Sequence, residues 1–312
     1  MPLHQRTTID CDVLPCFTAV YLREADDECA FIEAHTARAV PKIMAALAAR
    51  GRRPEQVRFV IVTHAHLDHA AGASALMARC PNATLLAHPR TVKHLVDPAK
   101  LVEGATEVYG AARFAELYGT VAPVPKERTR SLEDGESFEL GGARLTAHHT
   151  AGHAWHHLVV HDPATESVYT GDAFGLVYPA LQRGARLAIP STSPTGFEAG
   201  EAHKSVDKIL ALGAKAACLT HFDEVRDLDV VAAQLRAWID RSEGWVAACA
   251  RGDGSPAEMT AWIEARIRAA LAEEAVRVGL ALGAADWNVL ALDIELNAQG
   301  LAYAAGRRRA LP

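Results

Sequence analysis

The chain has 312 residues, half of them apolar and 22% charged, with a formal net charge of -6. That is a globular composition with room for one large domain, or one domain with a sizeable appendage, and its acidic balance speaks against a general nucleic-acid binder. No run approaches the roughly 20 uninterrupted apolar residues of a membrane span, the opening Met1-Pro2-Leu3-His4-Gln5-Arg6 lacks the apolar core of a signal peptide, and Cys11, Cys16, Cys29, Cys80, Cys218 and Cys249 form no C-x-x-C pair, so a cytoplasmic protein with reduced thiols is expected.

In chain order, residues 17–23 and 29–33 predict a hairpin around the polar turn 24–28. Residues 37–50 predict a helix with Thr36 as N-cap and Gly51 as its stop. The β-branched run 57–62 predicts a buried strand that ends at a histidine cluster. A small-residue helix is expected over 70–80 and another buried strand over 84–87. Residues 92–118 have a helical or irregular pattern and look like an insertion. Closely spaced strands follow at 137–140, 144–149, 158–161 and 167–170, separated by Gly141-Gly142 and Asp162-Pro163, which argues for antiparallel pairing. From Gly200 the pattern is mostly helical, apart from a strand at 216–220, and the tail 256–305 carries helical periodicity. The helix-breaking stretch 251–256 marks a boundary, dividing residues 1–250 from a helical extension over 251–312.

The chemistry lies at strand ends. His64-x-His66-x-Asp68-His69 sets four metal-capable side chains within six residues just after an apolar strand. A loop there can turn alternate side chains toward one point, and imidazole with carboxylate suits Zn, Fe or Mn. Three single residues stand at comparable places: His153 after Gly152, Asp172 after Gly171, and His221 after Thr220. Gly152 permits a tight backbone turn.

The order H-x-H-x-D-H, then G-H, then G-D, then a late T-H resembles the metallo-β-lactamase superfamily, in its glyoxalase II and lactonase-like branch, over residues 10–225. The resemblance implies a four-layer αββα sandwich, here followed by the C-terminal helical extension. It further implies that His64, His66 and His153 hold one divalent ion, that Asp68, His69 and His221 hold a second, and that Asp172 bridges them. Two ions, zinc first with iron or manganese as alternatives, would then act on a small ester, thioester or lactone through a bridging hydroxide, with Asp68 passing a proton to the leaving group.

Some features depart from the pattern. The turn that usually reads Asp-Thr-Gly is Glu33-Ala34-His35-Thr36, where His35 is a candidate substrate contact and Glu33 with Thr36 a candidate helix cap. A Pro- and Gly-punctuated loop spans 173–200, and Phe174, Tyr178, Arg183 and Arg186 are its candidate substrate contacts, the arginines for an anionic group. Some lactonases of the superfamily carry a tyrosine three residues after the bridging Asp; here that residue is Gly175. Trp238, Trp245, Trp262 and Trp287 fit helix packing, with a helical cap or homodimer surface as the sharper reading. His148, His149, His156 and His157 are candidates for orienting ligands, while His88 and His94 are read as structural. The rival enzymatic reading is a mononuclear iron persulfide dioxygenase. A rival of another class is a metal-containing effector or binding protein with vestigial hydrolysis. No nucleic-acid or membrane partner is expected.

Overall fold

Short apolar runs bounded by turn residues give two six-stranded sheets in the computed structural model, which describes residues 4–11, 15–193 and 195–310. The first three residues of the opening segment and Pro194 of the long loop lie outside that description. Two compact units divide the chain: Met1–His149 with His156–Gly171 and Ala214–Glu224, and Thr150–Trp155 with Asp172–Gly213 and Val225–Pro312.

In the first unit, one sheet runs β1 (His4–Asp10), β2 (Ala19–Ala25), β3 (Glu28–Ile32), β4 (Val57–Val62), β5 (Thr84–Ala87) and β6 (Thr129–Ser131), each strand pairing with the next. The first three are antiparallel and the last four parallel. Each parallel step needs a crossover. These are supplied by α1 (Val40–Ala49), then α2 (Leu67–Ala70) with α3 (Ala73–Arg79), then α4 (Pro89–Val96), α5 (Ala99–Tyr109) and α6 (Ala111–Tyr118). The other sheet runs β7 (Ser137–Leu140), β8 (Ala143–His149), β9 (Leu158–Asp162), β10 (Ser167–Gly171), β11 (Ala216–Leu219) and β12 (Asp223–Val225). Its strands β7 to β10 are antiparallel, as their short connections predict, and β10 pairs parallel with β11.

Tyr21, Ile32, Phe59 and Leu86 of the first sheet meet Phe138, Leu145, Val160 and Tyr169 of the second in one buried cluster. Alternate residues, including Val20, Leu22, Phe31 and Val60, point the other way and bury against Ile43 and Leu47 of α1 and Leu76 of α3. Covered on both faces, the central strands read as continuous apolar runs. Arg23 and Glu24 of β2 are buried exceptions, and the Arg23 Nε lies 2.5 Å from Asp162 Oδ2 with both side chains fully buried.

Two helix boundaries differ from expectation. Helix α1 begins at Val40 behind Ala39 and has no side-chain cap; Thr36 instead accepts the Ala39 N–H through its carbonyl. Pro41 explains the late start, since its missing N–H costs nothing in a first helical turn. The helix expected over 70–80 is two helices broken at Gly72, where a Cβ would stand 2.4 Å from the Ala34 carbonyl oxygen. The six cysteines form no disulfide, and burial pushes the Cys80 and Cys218 thiols up to about 12.

The second unit contains α7 (Ala199–Ala211), α8 (Leu228–Arg251), α9 (Pro256–Arg277) and α10 (Ala284–Arg309), with α10 packed on α8 and α9. The breaking stretch at 251–256 lies between α8 and α9, where Ser255 and Glu258 form a reciprocal capping box. Trp238 and Trp245 meet edge to face at 6.4 Å, and the Arg266 guanidinium lies over the Trp262 ring. No helix among the described residues is long and apolar enough to cross a membrane.

Candidate metal centre

Strand β4 is buried along five of its six residues and delivers Thr63 and His64 at its end. The chain then turns into helix at His66, whose carbonyl accepts from the His69 and Ala70 N–H groups at 3.1 and 2.9 Å. This switch from extended to helical backbone is what points nearby side chains of one short segment to a common place. The His64 ring lies 4.5 Å from that of His66 and 4.0 Å from that of His69. From the end of β11, His221 joins them, its Nε2 3.2 Å from Asp68 Oδ2, while His69 Nε2 is 3.5 Å from the same oxygen.

One ligand atom each from Asp68, His69 and His221 lie within 4.8 Å of one another. Donors about 2.0–2.1 Å from a tetrahedral ion stand about 3.3 Å apart, so these spacings fit a divalent cation. The second nitrogens support the same conclusion. His69 Nδ1 is 3.0 Å from Glu33 Oε1 and His221 Nδ1 is 3.0 Å from the Phe17 carbonyl oxygen. Carboxylate and carbonyl oxygens only accept, so Nδ1 carries the proton in both rings and Nε2 carries the lone pair that binds metal. His64 and His69 are fully buried, whereas the Asp68 side chain is 41% exposed.

In the second unit, His153 lies on the short segment between β8 and β9, and Asp172 directly follows the last residue of β10. His153 Nε2 is 3.6 Å from Asp172 Oδ2, and its Nδ1 donates to the Ser191 carbonyl at 3.0 Å, the same tautomer as His69 and His221. The turn before His153 requires glycine: Gly152 has φ +118°, and a Cβ there would meet the Ala202 nitrogen at 2.3 Å.

A family model for the metallo-beta-lactamase superfamily matches residues 13–221, well over half of the chain. The chain belongs to the metallo-beta-lactamase superfamily. The metallo-beta-lactamase fold-containing protein ST1585 of Sulfurisphaera tokodaii is 28% identical over 144 residues, covering 45% of this chain and 51% of the relative, so the match spans about half that curated relative's length. The crystal structure of ST1585 from Sulfolobus tokodaii superposes with a TM-score of 0.67 at 20% identity, over 96% of this chain and 99% of that one. The metallo-beta-lactamase family protein TTHA1429 from Thermus thermophilus gives 0.63 at 19% identity, over 97% and 93%. Both likenesses are of fold. This superfamily member therefore carries the metallo-beta-lactamase fold with a helical C-terminal extension, together with a His/Asp cluster compatible with metal.

The remaining predicted residues have defined places in this metallo-beta-lactamase fold. His35 is buried with φ +50°, and its Nδ1 accepts from the Thr36 N–H at 2.7 Å. Phe174 and Tyr178 are buried within the second unit. Arg183 grips both oxygens of Asp286 at 2.9 and 2.8 Å, and Arg186 pairs with Asp227 at 2.8 Å. These guanidiniums hold Asp286 and Asp227 below the usual carboxylate range and tie the 173–200 loop to the first turn of α10 and the start of α8. His156 Nδ1 accepts from the Ala65 N–H at 3.3 Å, and the His157 ring lies 4.9 Å from that of His64. Sequence reasoning missed Glu33, which it assigned to helix capping. The available signal was a carboxylate directly after the apolar strand end Ala30-Phe31-Ile32, a place that demands buried partners.

Proposed function

We propose that this superfamily member is a dinuclear metal-dependent hydrolase of a small ester, thioester or lactone, from the glyoxalase II and lactonase-like branch. The observation that carries the reading is the set of ligand atoms of Asp68, His69 and His221, gathered within 4.8 Å with both imidazoles committed at Nδ1. In this reading, which carries over the family's ligand pattern, His64, His66 and His153 would hold one ion, Asp68, His69 and His221 would hold the other, and Asp172 would be shared between them. Chain geometry supports including Asp172: it follows Gly171, which is in register with Leu219, two residues before His221.

Zinc is the first choice, and iron or manganese suit the same donors. Such ions supply Lewis acidity and lower the pKa of water from 15.7 to about 7. Asp68, the partly exposed donor, takes the proton of the attacking water on its carboxylate and returns it to the departing oxygen or sulfur. Buried His64 and His69 keep one orientation, so the donors need not reorganise during reaction. The acidic balance supports a small-molecule substrate over a nucleic acid.

Elemental analysis of the purified chain, followed by a panel of lactones, thioesters and esters, tests this proposal. Two ions per chain with turnover on the panel is the expected result. A single iron with dioxygen consumption on persulfides would replace hydrolysis by the oxygenase reading. Full metal loading with no turnover on the panel would favour an effector role.

A further inference from the structure

Helices α8, α9 and α10 of the second unit enclose a cavity to which each turns one face. Spacings of four and three residues bring Trp238, Ser242 and Trp245 of α8 to it together, and a spacing of four brings Ile267 and Leu271 of α9. From α10 comes Asp293, the one charged residue in the lining. The space between these side chains amounts to about 310 Å3 and is narrow, with room at its centre for a water-sized group. We propose that this cavity binds a compact ammonium group, held by the Asp293 carboxylate, the Ser242 hydroxyl and the ring face of Trp245. None of these residues belongs to the proposed metal-ligand set, so the inference stands apart from the two-ion reading.

The donor set selects the ligand class. Asp293 is partly exposed as a residue, yet its Oδ2 is buried, and a carboxylate oxygen taken out of water is stabilised by a cation that shares the space. The lining supplies no basic side chain for that purpose. Ser242 is 1% exposed, and its hydroxyl oxygen can accept an N–H. Tryptophan is the aromatic ring that attracts cations best. Trp238, Trp262 and Trp287 already carry the guanidiniums of Arg241, Arg266 and Arg268 over their rings. Among the described residues Trp245 carries none; it meets Trp238 edge to face at 6.4 Å. Arg241, the nearest such charge, is itself paired with Glu273 at 3.7 Å.

The remaining polar wall is already satisfied and does not compete for the ligand. Asn297, one helical turn after Asp293, accepts the Thr192 N–H through Oδ1 at 2.6 Å and donates from Nδ2 to the Pro190 carbonyl at 3.0 Å. These bonds pin the loop that closes the cavity, with or without an occupant. Narrow space and a single carboxylate favour a small monocation with directed N–H donors over a bulky quaternary ammonium. The ammonium ion and the head of a short primary amine share that chemistry.

The test titrates the full chain, as purified and at neutral pH, with ammonium chloride and with methylammonium chloride. Sodium chloride controls for ionic strength, and methanol is the neutral counterpart of methylammonium. Melting temperature and tryptophan emission are followed in wild type, Asp293→Asn and Trp245→Leu. Saturable stabilisation with a change in emission is expected from an ammonium salt and from neither control. A response to ammonium alone assigns the ion, and a response to methylammonium of equal or greater affinity assigns the amine head. Asp293→Asn keeps the shape, removes the charge and is expected to weaken binding by at least about 10-fold, the scale of a lost hydrogen bond to a charged group. Trp245→Leu is expected to weaken it by about 5-fold. No response to either ammonium salt, an equal response to sodium chloride or methanol, or undiminished binding by Asp293→Asn overturns the proposal. If Asp293→Asn does not fold, the wild-type salt comparison and Trp245→Leu decide: binding that survives loss of the ring unchanged overturns it.

Discussion

Two groups of histidines in the first unit are alike in spacing and opposite in chemistry. The rings of His64 and His69 lie 4.0 Å apart, and those of His88 and His149 lie 4.2 Å apart. Around Asp68, His69 and His221 donate through Nδ1 to fixed acceptors and turn Nε2 toward one carboxylate. His88 instead accepts at Nδ1 from the Arg90 N–H at 3.0 Å and so caps helix α4, while His149 Nε2 donates to the Leu132 carbonyl. Burial, and then His149 and Arg90, push His88 down to about 4, which keeps that ring neutral. Proximity of imidazoles is therefore not what makes a metal centre. The deciding features are which nitrogen is committed and whether a carboxylate shares the space.

The contrast can be broken most directly by paired substitutions. His69→Ala and Asp172→Ala are each expected to lower bound metal and to reduce turnover by at least about 100-fold, measured by elemental analysis and initial rates. His88→Asn should leave both unchanged, and metal loss in that variant would erase the distinction between the groups.

Arg186→Ala gives a smaller effect. It releases Asp227 from a partly buried ion pair and should cost about 1 kcal/mol in denaturant unfolding, raising KM equally for anionic and neutral substrates. A rise confined to anionic substrates would make Arg186 a substrate contact instead of a loop anchor.

The smallest expected effect sharpens the account of His88. Its folded pKa of about 4 lies below the ordinary 6.5, so the unfolded chain binds the extra proton between those values. The neutral ring's contribution to stability is intact above the ordinary value and is lost as pH falls toward the folded one. His88→Asn keeps an acceptor for the helix cap and removes the titration. Melting followed from about pH 7 down to about pH 4.5 should therefore fall less steeply in the variant; parallel curves would assign the acid sensitivity to other groups.

Local chemistry made part of this protein readable in advance. The run Val57 to Val62 is apolar and β-branched, and it forms a strand with those bounds; Thr84 to Ala87 and Ser137 to Leu140 do the same. Strands β1, β6 and β12 were not readable, since His-Gln-Arg-Thr-Thr-Ile-Asp, Thr-Arg-Ser and Asp-Glu-Val are mostly polar and owe their extended form to neighbours in the sheet. The break at Gly72 was equally hidden, because it answers to a carbonyl at Ala34 and not to any local helix-breaking pattern.

The sequence by itself determined the strand-end placement of His64, His66, Asp68, His69 and His221, because apolar runs and the residues that end them are local properties. The tertiary structure alone decided which nitrogen of each ring is committed, that Arg183 and Arg186 are held by Asp286 and Asp227, and that Glu33 accepts from Thr63, His69 and Thr220. The partners of Glu33 stand 30, 36 and 187 residues away along the chain, and a hydrogen bond is defined by distance and direction in space, which no local pattern encodes.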